Sequence, residues 1–111
     1  LQLPLVDGKF SPKAILQGLR QAGLNSILVE GGGITIANFL DADALGRLQV
    51  AVSPLVIGGG PIALTRTVQH AKLADCLRPD TRVFGLGTDV VFDCGLTAAA
   101  HAATIPLHSM T

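Results

Sequence analysis

The apolar positions of this chain change spacing several times, and each change marks an element. Ile15, Leu16, Leu19 and Ala22 recur at helical intervals behind Ser11-Pro12, a hydroxyl N-cap followed by the proline that suits a first helical position. Gly23 supplies a left-handed stop, with Leu24 placed to fold back on Leu19. Ser26 to Val29 is a run too apolar to leave one face in water, which predicts a central strand covered on both sides. Gly31, Gly32 and Gly33 end it. Ile36, Phe39 and Leu40 then resume helical spacing, predicting a second helix from Ile34 to Leu40. Leu45 to Ile57 is the next strongly apolar run. Leu48, Val50 and Val52 share one face of a strand there, and Pro54 ends its pairing or puts it at an edge.

Elsewhere the pattern is weaker. Leu1 to Val6 alternates loosely around Pro4 and reads as an edge strand or a linker. Gly58-Gly59-Gly60-Pro61 is a turn, and Ile62 to Leu77 offers only Val68, Ala71, Leu73 and Leu77 as packing positions. Thr81 to Leu86 and Asp89 to Cys94 flank Gly87-Thr88, the pattern of an antiparallel hairpin. The Ala-rich tail from Thr97 has no stripe and reads as a frayed helix or a disordered end. Helix-then-strand units closing on a hairpin predict an α/β fold: a mixed, largely parallel sheet with flanking helices and a C-terminal antiparallel hairpin.

Composition narrows the classes. The 111 residues make at most one small domain. Hydrophobic residues are 49% and charged residues 14%, against about 25% charged in average chains. So little charge implies apolar faces that meet another segment, and the run Gln49 to Ile57 predicts a homodimer or complementation by a missing amino-terminal half. A net charge of zero with no basic cluster argues against nucleic acid and anionic membranes as partners. No apolar run approaches the roughly 20 residues of a membrane span. Cys76 and Cys94 lack metal spacing and a disulfide pattern, which points to a reducing, cytoplasmic setting. The chain opens on Leu1 with no signal-peptide pattern and reads as a fragment or a trimmed product.

The chemistry concentrates at Glu30-Gly31-Gly32-Gly33. A strand, a glycine turn and a helix in that order expose unpaired N–H groups at a positive helix end, a site suited to phosphate. The alternative is a tight turn whose glycines only permit positive φ. Glu30, after three apolar residues, is expected to be partly buried, either accepting bonds from a sugar hydroxyl or capping the turn. Thr35, in the first helical turn, supports a phosphate or a local backbone group. Gly58, Gly60 and Ala63 fit a loose dinucleotide fingerprint, but Pro61 interrupts it and no strand ending in an acid follows at the usual distance. His70, His101 and His108 are isolated and read as surface or packing residues. Asp41, Asp43, Asp75, Asp80, Asp89 and Asp93 mostly flank turns. No metal site, nucleophile or general base is assigned.

Leu28-Val29-Glu30-Gly31-Gly32-Gly33, then Phe39-Leu40, Val52-Ser53-Pro54-Leu55-Val56-Ile57-Gly58-Gly59-Gly60, Leu73-Ala74-Asp75 and Leu86-Gly87-Thr88-Asp89-Val90-Val91-Phe92 stand in a familiar order. As a set they resemble the C-terminal reductase domain of the bifunctional riboflavin-biosynthesis deaminase-reductases. The resemblance implies the C-terminal half of a dihydrofolate-reductase-like fold, with a partial reductase domain over residues 1–96 and a tail over 97–111. It implies NADPH as cofactor and an aminopyrimidine ribosyl phosphate as substrate, whose ribosyl group is reduced to ribityl. Glu30 would contact the substrate's sugar. Gly32, Gly33, Ile34, Thr35, Ile36, Ala37 and Asn38 would form the wall against the cofactor, and the second glycine turn would be structural. The amino-terminal half of that domain and the deaminase zinc motif are outside the match. Gly46-Arg47 stands where the family often has an acid, which puts a local hydrogen bond or interface contact in question. A non-catalytic nucleotide-binding or assembly module of the same fold, inactive alone, is the competing expectation.

Overall fold

The computed structural model describes residues 2–3, 5–66 and 70–97. Val68, His101, His108 and the tail beyond Thr97 lie outside the described residues. The described residues fall into two compact units, those of Leu1–Ala44 with Gly60–Ala71 and those of Leu45–Gly59 with Lys72–Thr111.

In the first unit, Asp7-Gly8 joins β1 (Leu5–Val6) to β2 (Lys9–Phe10) as an antiparallel hairpin. Both turn residues have positive φ, 51° at Asp7 and 72° at Gly8. That is the two-residue turn whose twist matches its strands, and Asp-Gly is its preferred pair. Ser11 then caps α1 (Pro12–Gln21), its Oγ accepting from the Ala14 N–H at 3.4 Å, with Pro12 in the first turn as expected. The helix ends in a Schellman motif. Gly23 N–H donates to Arg20 C=O and Leu24 N–H to Leu19 C=O, both at 3.0 Å. A second helix, α2 (Gly33–Asp41), ends the same way: Asp43 takes the left-handed position at φ 52°, and Ala44 N–H donates to Phe39 C=O at 2.9 Å. The two helices touch, and Gly18, Ala37 and Phe39 are buried in this unit.

The second unit is a three-stranded antiparallel sheet, β3 (Arg47–Val52), β4 (Asp80–Leu86) and β5 (Asp89–Gly95), with β5 in the centre. The β4–β5 hairpin turns at Gly87-Thr88, as its sequence predicts. The register Gln49↔Asp93↔Arg82 sets one face, and Val50↔Phe92↔Val83 sets the other. The apolar face read from Leu48, Val50 and Val52 is therefore real, yet Val50, Val52, Val83 and Val90 on it are exposed.

Several expectations are corrected. Every described ladder is antiparallel, so the largely parallel sheet is not what forms. Ser26 to Val29 makes no ladder, and Leu28 is 80% exposed. An apolar run becomes a strand only where another strand takes up its N–H and C=O groups, and no described strand does so. Leu73 lies in a 3₁₀ turn (Leu73–Asp75) and, like Leu77, is exposed rather than packed. Asp93 does not flank a turn. It sits inside β5 with 1% exposure. Among the described residues, no helix is long and apolar enough to cross a membrane.

Asp93 anchors the sheet's polar face. Arg47 Nη1 donates to both carboxylate oxygens, at 3.0 and 2.8 Å, and Arg82 Nη2 donates at 2.7 Å. Arg47, standing where the resemblance led us to expect an acid, thus has its own carboxylate across the ladder. Burial pushes the Asp93 carboxyl upward, but the hydrogen bonds from Arg82 and Arg47 outweigh it and hold the group below its ordinary value. A carboxyl lowered on folding stabilises the protein above its unfolded pKa of about 3.9, and that contribution disappears as pH falls through the folded value. Asp93→Asn should therefore cost about 2–3 kcal/mol near neutrality, toward the low side for a buried pair because Arg82 reaches water. The deficit relative to wild type should shrink as pH drops below about 4. Chemical denaturation across pH measures both, and parallel wild-type and variant curves would contradict the assignment.

Candidate functional site

The end of the unpaired segment and the start of α2 build the site, entirely within the first unit. Gly32 is the N-cap, at φ −74° and ψ 176°, and no side chain caps the helix there. The first helical bond runs from Ile36 N–H to the Gly32 carbonyl at 3.2 Å. The N–H groups of Gly33, Ile34 and Thr35 precede it, so the helix itself leaves them without partners. Aligned peptide dipoles make that end positive. Thr35 folds back over the turn: a Cβ placed at Gly31 would lie 3.3 Å from the Thr35 hydroxyl. Hydroxyl and open N–H groups thus meet at one mouth.

The glycines differ in what holds them. A side chain at Gly32 would meet nothing within 4 Å, so space in front of the helix is open. A Cβ at Gly33 would collide with the carbonyl of Ala63 and approach that of Ile62. The chain after the second glycine turn therefore lies directly on the first helical residue. The same segment is fastened further along α2, where Arg66 Nε donates to Asp41 Oδ1 at 2.6 Å. The second glycine turn, Gly58 to Gly60, directly precedes this strap in the chain.

Sorted by exposure, the predicted wall has two faces. Gly32, Ile34, Thr35 and Asn38 are exposed, Gly33 and Ile36 are half-buried, and Ala37 is fully buried with its side chain turned into the unit. Ile34, Asn38 and Asp41 recur at helical spacing and form one stripe along α2. At its far end Asn38 lines a cleft of about 510 Å³ with Lys9, Phe10, Pro12, Asp41 and Ala42. Glu30 is exposed, not partly buried as expected, because the segment before it has no sheet around it. Lys9, Phe10 and Arg66 were not legible as site neighbours. The Asp7-Gly8 pair signals the hairpin that carries Lys9 and Phe10, whereas nothing local signals the contact of Arg66 with a residue 25 positions away.

Compared with known proteins, residues 2–91 match the family described as the RibD C-terminal domain. No curated protein and no solved structure matches the chain.

The packing separates the two inner glycines experimentally. Gly33→Ala should lower stability by about 1–3 kcal/mol, the range for forcing a methyl against packed atoms. Gly32→Ala should cost no more than a helix cap of its kind, about 1 kcal/mol or less. Thermal unfolding of the two variants checks this, and the reverse order would place the strap elsewhere.

Proposed function

Because the chain belongs to the RibD C-terminal domain family, a family of riboflavin-pathway reductase domains, we propose that it forms the cofactor-binding part of an NADPH-dependent reductase. Its substrate on this reading is an aminopyrimidine ribosyl phosphate, reduced at the sugar's C1′ to the ribityl product. The observation that carries the proposal is the uncapped N-terminus of α2, where open space at Gly32, free first-turn N–H groups and the Thr35 hydroxyl meet. That arrangement suits a phosphate group, which would take the N–H groups as donors and gain from the helix dipole. The cofactor, when bound, supplies the hydride.

The protein's own part is position and charge. Gly32, Ile34 and Thr35 hold the phosphates, and Asn38 continues the wall. Gly33, Ile36 and Ala37 support that wall from beneath rather than through exposed side chains. Glu30, exposed at the edge of the same turn, accepts hydrogen bonds from the substrate's sugar hydroxyls and orients the reacting carbon. Self-association belongs to the same reading, since the row Val50, Phe92 and Val83 continues into an apolar sheet face that needs cover.

A second reading, a nucleotide-binding or assembly module inactive alone, draws on Leu28 and its neighbours, which lie outside any ladder. NADPH oxidation with the pyrimidine substrate, with and without an added amino-terminal half of the family's domain, separates the two. Turnover by the 111-residue chain alone would remove the second reading.

Serine at position 32 gives the sharper test. Gly32→Ser supplies the missing cap and should leave the melting temperature unchanged or slightly raised. The same hydroxyl occupies the N–H groups the phosphate needs, so NADPH should bind about tenfold more weakly or worse. Unchanged affinity would reduce the turn to a structural feature. Glu30→Gln should lower kcat/KM by about tenfold with little change in NADPH affinity, and equal losses in both would remove Glu30 from the substrate side.

A further inference from the structure

We infer that Arg66 is a positioning residue for the helix mouth: its ion pair with Asp41 clamps α2 from the far end and so sets how well the first turn receives a phosphate group. This role rests on the cofactor reading above and adds to it a residue outside the glycine turn. Three observations carry it.

The first is that α2 cannot hold itself. It is nine residues long, whereas isolated helices shorter than about 12–15 residues are marginal in water. Its N-terminus has no side-chain cap, and its last turn has no basic residue. Asp41 in that turn sets a negative charge at the negative end of the dipole. Order in this helix therefore comes from contacts outside it.

The second is how the strap is held. Gly58 and Gly60 turn the chain ahead of it with φ of 79° and 141°, and Ile62 and Leu64 within it are exposed. Among the described residues, no backbone hydrogen bond joins residues 60–66 to α2. Neither a ladder nor burial of these apolar side chains fixes its course. At one end the Ala63 carbonyl packs on Gly33, and at the other Arg66 Nε donates to Asp41 Oδ1 at 2.6 Å, both within the first unit.

The third is the setting of the pair. The Arg66 and Asp41 side chains are 25% and 14% exposed, so water and salt screen them less than a surface pair. The guanidinium also stands at the C-terminal end of α2, where a cation complements the dipole and the helix has none of its own. At about 1.5 Å per residue, Asp41 lies about 12 Å along the axis from Gly33. Arg66 therefore acts on the mouth through the helix rather than by touching the phosphate. Fraying lowers the fraction of molecules whose first-turn N–H groups point outward together, and apparent affinity falls by that fraction.

NADPH and inorganic pyrophosphate are titrated calorimetrically into the 111-residue chain and into Arg66→Ala, Arg66→Lys, Asp41→Asn and the reversed pair Arg66→Asp with Asp41→Arg. Hydrogen exchange of the ligand-free proteins is followed at the Ile36 amide, which closes the first helical bond to Gly32. Arg66→Ala and Asp41→Asn should each weaken NADPH about tenfold and speed Ile36 exchange, with circular dichroism showing that the variants are folded. Arg66→Lys keeps the charge with a different donor geometry and should recover part of the loss. The reversed pair should restore affinity and exchange to within about threefold of wild type, a recovery that a purely steric strap would not give. If wild type binds NADPH and Arg66→Ala changes neither affinity nor exchange, the role of Arg66 is overturned while the cofactor reading stands. A loss that the folded reversed pair leaves unrestored overturns it equally. Pair-dependent exchange and pyrophosphate binding without NADPH binding would support the clamp and overturn the cofactor reading. Absence of binding by both ligands would overturn both.

Discussion

The absence of a side chain at Gly33 is the constraint on which the candidate site depends. With a methyl there, the Ala63 carbonyl could not lie where it does, and the strap from the second glycine turn would lose its seat on α2. The strap matters because it holds the helix at both ends. Near the N-terminus it packs against Gly33. In the last turn it brings Arg66 to Asp41, a carboxylate that the helix dipole disfavours at that end and that an adjacent guanidinium offsets. A helix held in this way presents its uncapped mouth and its exposed stripe in a fixed orientation, which a phosphate site requires. The two glycine turns, separated by most of α2 and β3 in the sequence, therefore serve one helix: the first opens its N-terminus, and the second supplies the strap.

How much of this was legible in the sequence follows from the range of each interaction. Ser11-Pro12, the Gly23 stop, the second helix and the Gly87-Thr88 hairpin depend on neighbours within a few residues, and each appears close to its predicted bounds. The Asp7-Gly8 hairpin was equally local but was masked by reading Leu1 to Val6 as one segment. Ser26 to Val29 failed for the opposite reason: its apolar run carries the composition of a buried strand, but strand formation is decided by partners elsewhere. At the candidate site, the glycine turn and the place of Thr35 in the first helical turn were accessible from local pattern, whereas Asn38 entered only through the family resemblance. The inward turn of Ala37, the exposure of Glu30 and the Arg66–Asp41 pair needed the tertiary structure. Gly58 to Gly60 shows the difference within one motif, since its spacing resembles a ligand loop whereas its position makes it the source of the strap.

The second unit buries a charge, Asp93, beside Val91 and leaves Val50, Val52, Val83 and Val90 of the other face exposed. Net stability is a weak explanation for Asp93, because removing two charged groups from water costs most of what their attraction returns. Register is a better one. Gln49 and Arg82 stand directly opposite Asp93 on the two neighbouring strands, and Arg47 reaches it from two residues along β3. A slip of one residue would turn the carboxylate's partners to the other face and set it against Leu48 or Val50 in the β3–β5 ladder, or against Thr81 or Val83 in the β4–β5 ladder. An apolar residue at position 93 would pack in either register and remove that distinction. The carboxylate thus selects the one alignment in which Val50, Phe92 and Val83 fall on a common face. A continuous apolar surface of that kind exists only if the register is correct. The buried charge on one side of the sheet is therefore what defines the exposed surface on the other.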